Sequence, residues 1–519
     1  MKRQNYIDLH CHPSFKSNFK NPGKRWNNWD GLQLSDVRNS SILVSQSSLS
    51  QILQSSNLVV VPLHPVEPGM IDNYLIRIGD LILNAVDTDR LNSIINNNPS
   101  SFDLIRSELI NLQERSSKGQ KVKIIKRFDE YDESDLQTLH VVLAVEGPHS
   151  FYLDENKVDR VDEILKRFTD WIEQTGGILY QSLTHLTYGI FANHAYGNKI
   201  LPKKKMLPEG FGIRQPWCQK LIDEIYGHQI IVDVKHMSLV AREQFYKYHN
   251  ENWSLQPIIC SHCAVTGFSW DKILEVIANR PVKLEKIELW NNTVKIIYKY
   301  FFDPIRNVPY YPLSINLYDE DIMQIIQSNG LICLEMDARM LGEKVRHSSK
   351  EFVTRDEFNY WTEHHPATNE FADLHFIQKV DQDYMVTIDD ADEELENNKI
   401  LFGEKPEYIK RQEEERVNSG CYEKLFVNQL LHIHEVVSSS GMKDINAWNY
   451  ISIGSDFDGL IESLPICVDA TQMDEFAEKV QIELDKNVET YSLDLGDPTS
   501  LIIEKIFRMN ALNLIKSRL

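Results

Sequence analysis

Residues 140–147 read HVVLAVEG, and five consecutive apolar positions, Val141 to Val145, run straight into an acid, Glu146, and a glycine. A strand with one wet face alternates apolar and polar positions. An unbroken apolar run of this length instead fits a strand buried on both faces, as in parallel sheets covered by helices. Seven other short runs share the pattern: YIDLHCH (6–12), NLVVVPLHP (57–65), GILYQSLTH (177–185), QIIVDVKHM (229–237), PIICSHC (257–263), GLICLEMD (330–337) and YISIGSDFDG (450–459). Between them lie amphipathic helical stretches such as VDRVDEILKRFTDWIEQTG (158–176) and WCQKLIDEIYGHQ (217–229). Eight strand–helix alternations predict an α/β fold, a (β/α)8 TIM-type barrel, in which the working residues stand at the C-terminal ends of the strands.

Six of the eight strands end in a residue able to bind metal or move protons: His10 and His12, Glu146, His185, His236, His262 and Asp456. On a strand, side chains at i and i+2 share a face, so His10 and His12 leave the first strand in one direction and can reach one metal. A single histidine at a strand end is commonly hydrogen-bonded structure, but several nitrogen and oxygen ligands converging on one barrel mouth point to a metal site. His64 and His149, after the second and third strands, are further candidates for the pocket or for supporting the ligands. Glu335 and Asp337, near the end of the seventh strand, either line the pocket or cap the next segment.

Composition narrows the function classes. The 519 residues carry 42% hydrophobic and 25% charged side chains, ordinary for a globular protein, with no apolar run near the roughly 20 residues of a membrane span. The net charge of −21 argues against nucleic acid or an anionic membrane as partner. MKRQNYIDLHCH enters the first strand without a secretory h-region, and seven thinly spread cysteines fit reduced thiols, so a cytoplasmic location is expected. Cys260 and Cys263 form a CxxC, but no second pair at zinc-ribbon spacing accompanies them.

No internal repeat or linker divides the chain, and a single catalytic barrel domain over 1–519 is expected, with surplus length in excursions at about 66–135, 264–315 and 338–440. The charged runs IDDADEELENNK (388–399) and EKPEYIKRQEEERV (404–417) read as solvated faces. The aromatic stretch WNNTVKIIYKYFFDPIRNVPYYP (290–312) reads equally as a lid, an oligomer contact or local core.

The motifs taken together resemble the renal (membrane) dipeptidase family of the amidohydrolase superfamily. The resemblance is carried by VEGPH (145–149), LTHLTYG (183–189), FGIRQPWCQKLIDEIYGHQIIVDVKHMS (211–238), PIICSHCA (257–264), INLYDEDIMQIIQSNGLICLEM (315–336), IGSDFDGL (453–460) and the closing IIEKIFRMNALNLIKS (502–517). It implies a binuclear zinc-dependent hydrolase, a dipeptidase-like metallopeptidase cleaving a peptide or other small amide by metal-bound hydroxide. By the same resemblance His10 and the residue at position 12 bind the first ion, Glu146 bridges both, and His236 and His262 bind the second. Asp456 sits beside the first ion as proton carrier, and His185 contacts substrate and steadies the oxyanion. Relatives of that family being dimeric, a homodimer is implied.

Two departures stand out. The family has an aspartate where His12 stands, so this chain carries the His-x-His of most other amidohydrolases; a neutral ligand leaves more positive charge on the ion pair. The family's arginine for the substrate's terminal carboxylate, shortly after the sixth-strand histidine, has no counterpart in SHCAVTGFSWDKILE or at Ile315; Arg280, Arg306 and Arg339 are the candidates to replace it. Hydrolysis of a lactone, cyclic amide or ester therefore stands as the alternative reaction. A phosphoesterase fits the SDFDG and VDVKHMS motifs less well, and a metal-binding scaffold without turnover is the alternative from another class.

Overall fold

In the computed structural model the described residues are 5–19, 27–31, 44–71, 88–153, 160–187, 189–197, 206–277, 293–298, 301–343, 349–365, 407–442 and 444–519. The apolar runs pair as the sequence predicts. Leu58–Leu63, Thr138–Val145, Tyr180–Ser182, Ile231–Asp233, Ile258–Cys263, Leu331–Leu334 and Ile451–Ile453, the second to eighth barrel strands, lie side by side in that order, every neighbour parallel.

The first segment closes the ring. Asp8 bridges in parallel to both Ile453 and Val59, with Leu9 N donating to Ile453 O at 2.9 Å and Val60 N to Asp8 O at 2.9 Å. Pairing of the first and eighth strands continues outward through His12 N to Phe457 O at 2.8 Å and Asp456 N to His10 O at 2.9 Å. Three site candidates thus lie on one seam of backbone hydrogen bonds.

Two-residue periodicity sorts the side chains. Leu58 and Val60, Val142 and Ala144, Ile231, and Leu331 and Cys333 share one buried cluster. Val59 and Val61, Val141 and Leu143, Val232, and Ile332 and Leu334 belong to another, shared with the surrounding helices. A cluster drawing on nearly every strand is the barrel interior. Carried to the strand ends, that interior parity places His64, Glu146 and Glu335 at the mouth, side chains inward. At the other end Ala511, Leu514 and Ile515 of the final helix, Asn510–Arg518, join the interior cluster and cap it.

The helices between strands bury one stripe each. Val161–Thr175 turns Ile164, Leu165, Phe168, Trp171 and Ile172 inward and stops at Gly176, whose φ of +81° suits a residue without a Cβ. Leu239–Asn252 starts where Ser238 Oγ accepts from Ala241 N at 3.2 Å.

The excursions pack against the mouth. In the first, Glu108 of helix Ser101–Leu112 accepts from His64 N at 2.9 Å and from Ser14 Oγ at 2.8 Å. The second and third are joined by an antiparallel ribbon, Thr293–Tyr298 with Ser349–Thr354. Its core holds Ile296, Tyr298, Ile315, Phe358 and Trp361. Within the described part of the aromatic stretch Tyr298, Tyr310 and Tyr311 are buried as local core, while Phe302 and Ile305 are exposed. Residues 404–406 and the run 388–399 lie outside the described residues, while Glu407–Asn418 is helical. No helix among the described residues is long and apolar enough to cross a membrane, and all seven cysteines are free.

Close packing across the barrel gives a stability test. A Cβ at Gly454 would stand 1.8 Å from the Ser261 carbonyl oxygen, backbone that cannot swing aside. Gly454→Ala is expected to destabilise the protein by about 3 kcal/mol through overpacking; a denaturant midpoint indistinguishable from wild type contradicts this packing.

Candidate metal centre

Glu146 leaves the third strand into the middle of the mouth, 2% exposed, and its two oxygens face different partners. Oε2 lies 3.3 Å from His12 Nε2 and 3.7 Å from His10 Nε2. Oε1 lies 2.9 Å from His236 Nε2, 3.6 Å from His262 Nε2 and 3.7 Å from His185 Nε2. Asp456 completes the first group, its Oδ1 3.3 Å from His12 Nε2 and 3.8 Å from His10 Nε2. The structure thus brings His10, His12, Glu146, His236, His262, Asp456 and His185 together as two donor groups sharing one carboxylate.

Hydrogen bonds behind the rings set which nitrogen is bare. Tyr180 OH donates to Leu9 O at 2.9 Å, so it accepts from His10 Nδ1 at 2.8 Å and leaves His10 Nε2 as the lone pair. Ser261 Oγ donates to Asp233 Oδ2 at 2.7 Å and so accepts from His262 Nδ1 at 2.9 Å, with the same result. In both rings the free lone pair faces Glu146. The two buried aspartates that organise this layer act alike: Asp8 accepts from Ser455 N at 2.9 Å and His10 N at 3.1 Å, and Asp233 from Ser261 N and Lys235 N at 3.0 Å each.

Backbone conformation is unusual at two site positions. His236 has φ +67° and Asp456 φ +57°, a left-handed region that β-carbon-bearing residues seldom occupy, and strain of this kind gathers where side chains must be aimed. Gly147, at φ +80°, serves a neighbour: a Cβ there would fall 2.3 Å from the His149 ring.

The electrostatics favour a bound cation. Burial alone raises Glu146, but the surrounding histidines, His185 and His10 foremost, and hydrogen bonds from His12 and His236 hold it well below the usual carboxylate range. Burial opposes a charge on His12, yet the hydrogen bonds it donates to the Asp456 and Glu146 carboxylates push it up to about 10. His10 and His262 are held well below the ordinary imidazole value, burial being the main cause. Neutral His10 and His262 beside ionised Glu146 are in the donor forms metals take, whereas His12 gives up its proton on binding one. His10, Glu146 and His262 offer ligand atoms within 4.8 Å of one another, as do His10, His12 and Asp456. The chemistry of this donor set fits divalent metal binding.

The neighbouring residues divide. His185 Nδ1 bonds to Glu67 Oε1, which turns its Nε2 toward the site. His64 and His149 flank His185, ring centroids 4.2 and 6.0 Å from it, and His64 Nδ1 also lies 3.9 Å from Glu146 Oε2. A pocket beside the ligands is walled by Lys235, His236, His262, Glu335, Asp337, Arg339, Asp456 and Ile315. Of the arginine candidates, Arg306 is bound to Asp303, Glu435 and Asn428 and borders a different cavity. Arg280 lies outside the described residues. Arg339 reaches the pocket but is gripped by Asp337 through Nε at 2.9 Å and Nη2 at 2.5 Å. Lys235 supplies the other cation, with Nζ 3.6 Å from Glu335 Oε2 and no hydrogen-bond partner among the described residues.

Glu67, Tyr180 and Lys235 escape the sequence reading. Lys235 carries a local signal, a charge one residue before a strand-end histidine, and Glu67 another, an acid three residues after one. Tyr180 carries none, since only the fold brings it to His10.

No family model and no curated protein matches the chain. Among solved structures, a dipeptidase described as a metallo peptidase aligns over 100% of this chain and 99% of its own at 10% identity and TM-score 0.48. A metallo peptidase from Rhodobacter sphaeroides, liganded with a phosphinate mimic of L-Ala-D-Ala, aligns over 99% of both chains at 10% identity and TM-score 0.47. An amidohydrolase from Pseudomonas aeruginosa aligns over 99% of this chain and 95% of its own at 11% identity and TM-score 0.42.

Tyr180→Phe removes the acceptor that orients His10 without touching a ligand, and such losses weaken metal affinity roughly 10- to 100-fold. A chelator competition titration is expected to show that weakening; unchanged affinity removes Tyr180 from this role.

Proposed function

We propose that the chain is a metal-dependent hydrolase with a binuclear zinc centre, cleaving a peptide or other amide bond of a small substrate. The observation that carries this reading is Glu146: a buried carboxylate whose two oxygens each face their own pair of histidines. Two divalent ions, held by His10, His12 and Asp456 on one side and His236 and His262 on the other, would supply Lewis acidity and lower the pKa of a water between them.

The remaining steps fall to side chains. Asp456 is 14% exposed on the pocket side, and burial raises its carboxyl above the ordinary value, which makes it a better proton acceptor. It takes the proton of the attacking water and returns it to the leaving amine. His185, tied through Nδ1 to Glu67, presents Nε2–H to the developing oxyanion. Burial opposes its charge, but Glu67 and Glu146 raise its pKa, which favours the donor form. Lys235 is the cation placed to meet a substrate carboxylate.

One observation favours a second reading, hydrolysis of a lactone, cyclic amide or ester. Arg339 is engaged by Asp337, so that wall offers no free arginine, which suits a substrate without a free carboxylate.

The test pairs zinc content with turnover. Chelation is expected to abolish cleavage of L,L- and L,D-dipeptides and zinc to restore it. Zinc-bound protein that cleaves only lactones or cyclic amides selects the second reading, and zinc-bound protein inert to the whole panel contradicts both. Asp456→Asn is expected to keep at least one zinc while losing about 100-fold or more in kcat, the scale of a lost general base; unchanged kcat removes Asp456 as the proton carrier.

A further inference from the structure

Beyond the two groups around Glu146, the mouth holds a third cluster, of which the proposed chemistry uses only one Glu67 oxygen, to hold His185. His64 follows the second strand, Glu67 comes three residues later, and His149 follows the third strand. All three are buried, at 3%, 1% and 7% exposure. One ligand atom from each lies within 4.8 Å of the other two, and the His64 and His149 rings meet edge to face with centroids 5.4 Å apart.

The geometry points to a third cation site, formed by His64, Glu67 and His149 and taking a divalent transition-metal ion of the zinc type. Two observations of different kinds support it. The first is the unsatisfied acid: Glu67 Oε1 accepts from His185 Nδ1, while Oε2, equally buried, has no hydrogen-bond partner among the described residues. A bare buried carboxylate oxygen is costly, and a cation removes that cost.

The second is the orientation of the two rings. His149 Nε2 lies 3.1 Å from Pro65 O and His64 Nδ1 3.4 Å from Glu146 O. Backbone carbonyls only accept, so those nitrogens carry the hydrogens and the other nitrogen of each ring is left as a lone pair. Two imidazole lone pairs and one carboxylate oxygen form a donor set suited to zinc, and the backbone carbonyl behind each ring is the support that metal-binding histidines ordinarily have. Neither histidine nor Glu67 belongs to the groups that would hold the other two ions.

The site is tested by counting ions on the full chain. Protein saturated with zinc and desalted is expected to carry three zinc per chain, falling to two in Glu67→Gln and in His149→Gln. Two zinc in the wild type, or three retained in both variants, overturns the third site and leaves the binuclear reading standing. Fewer than two in the wild type overturns both. Should the variants fail to fold, graded chelator on the wild type decides: release of three ions supports the site and release of only two overturns it.

Discussion

A carboxylate taken out of water stays ionised only where each of its oxygens is met by positive charge or by donors. Glu146 is buried at the centre of the barrel mouth, and five histidine nitrogens stand within 3.7 Å of one or other of its oxygens. Most of those imidazoles are themselves held neutral by burial. The positive charge that keeps the acid ionised falls to His12 and His185, which neighbouring carboxylates raise, and bound cations would take over that role. The two oxygens of the carboxylate face different histidines, His10 and His12 on one side and His236 and His262 on the other, which is what the proposed pair of ions would require.

The scaffold serves that arrangement by aiming side chains more than by contacting them. Closure of the ring between the first and eighth strands sets His10, His12 and Asp456 on a common seam of backbone hydrogen bonds. Asp8 and Asp233, one layer below, bind the backbone on either side of them and fix the spacing of first to eighth and fifth to sixth strands. The left-handed backbone of His236 and Asp456 is tolerated because this network holds it on both sides.

The barrel was legible because parallel strands buried on both faces leave unbroken apolar runs, and all eight runs lie where the ring strands form. The mouth residues were legible for a related reason: a polar group ending such a run has no packing role, so His10, Glu146, His236, His262 and Asp456 announce themselves. Tyr180 did not, because its partner His10 stands 170 residues away and local spacing says nothing of it, while Glu67 had only its place three residues after His64, its partner His185 being 118 residues away. The arginine question shows the same limit. Arg306 and Arg339 looked equivalent in sequence, yet one serves an excursion's own ion pairs and the other reaches the pocket already held by an acid. The aromatic stretch could not be read from its composition, because only the pairing of Thr293–Tyr298 with the distant Ser349–Thr354 shows which of its residues become core.

The central claim is that Glu146 bridges two ions, and anomalous diffraction from crystals of the zinc-loaded protein at the zinc absorption edge tests it most directly. The account predicts two peaks about 3.5 to 4 Å apart on opposite sides of the Glu146 carboxylate, one against His10 and His12 and the other against His236 and His262. A single peak against Glu146, or none there, would contradict it.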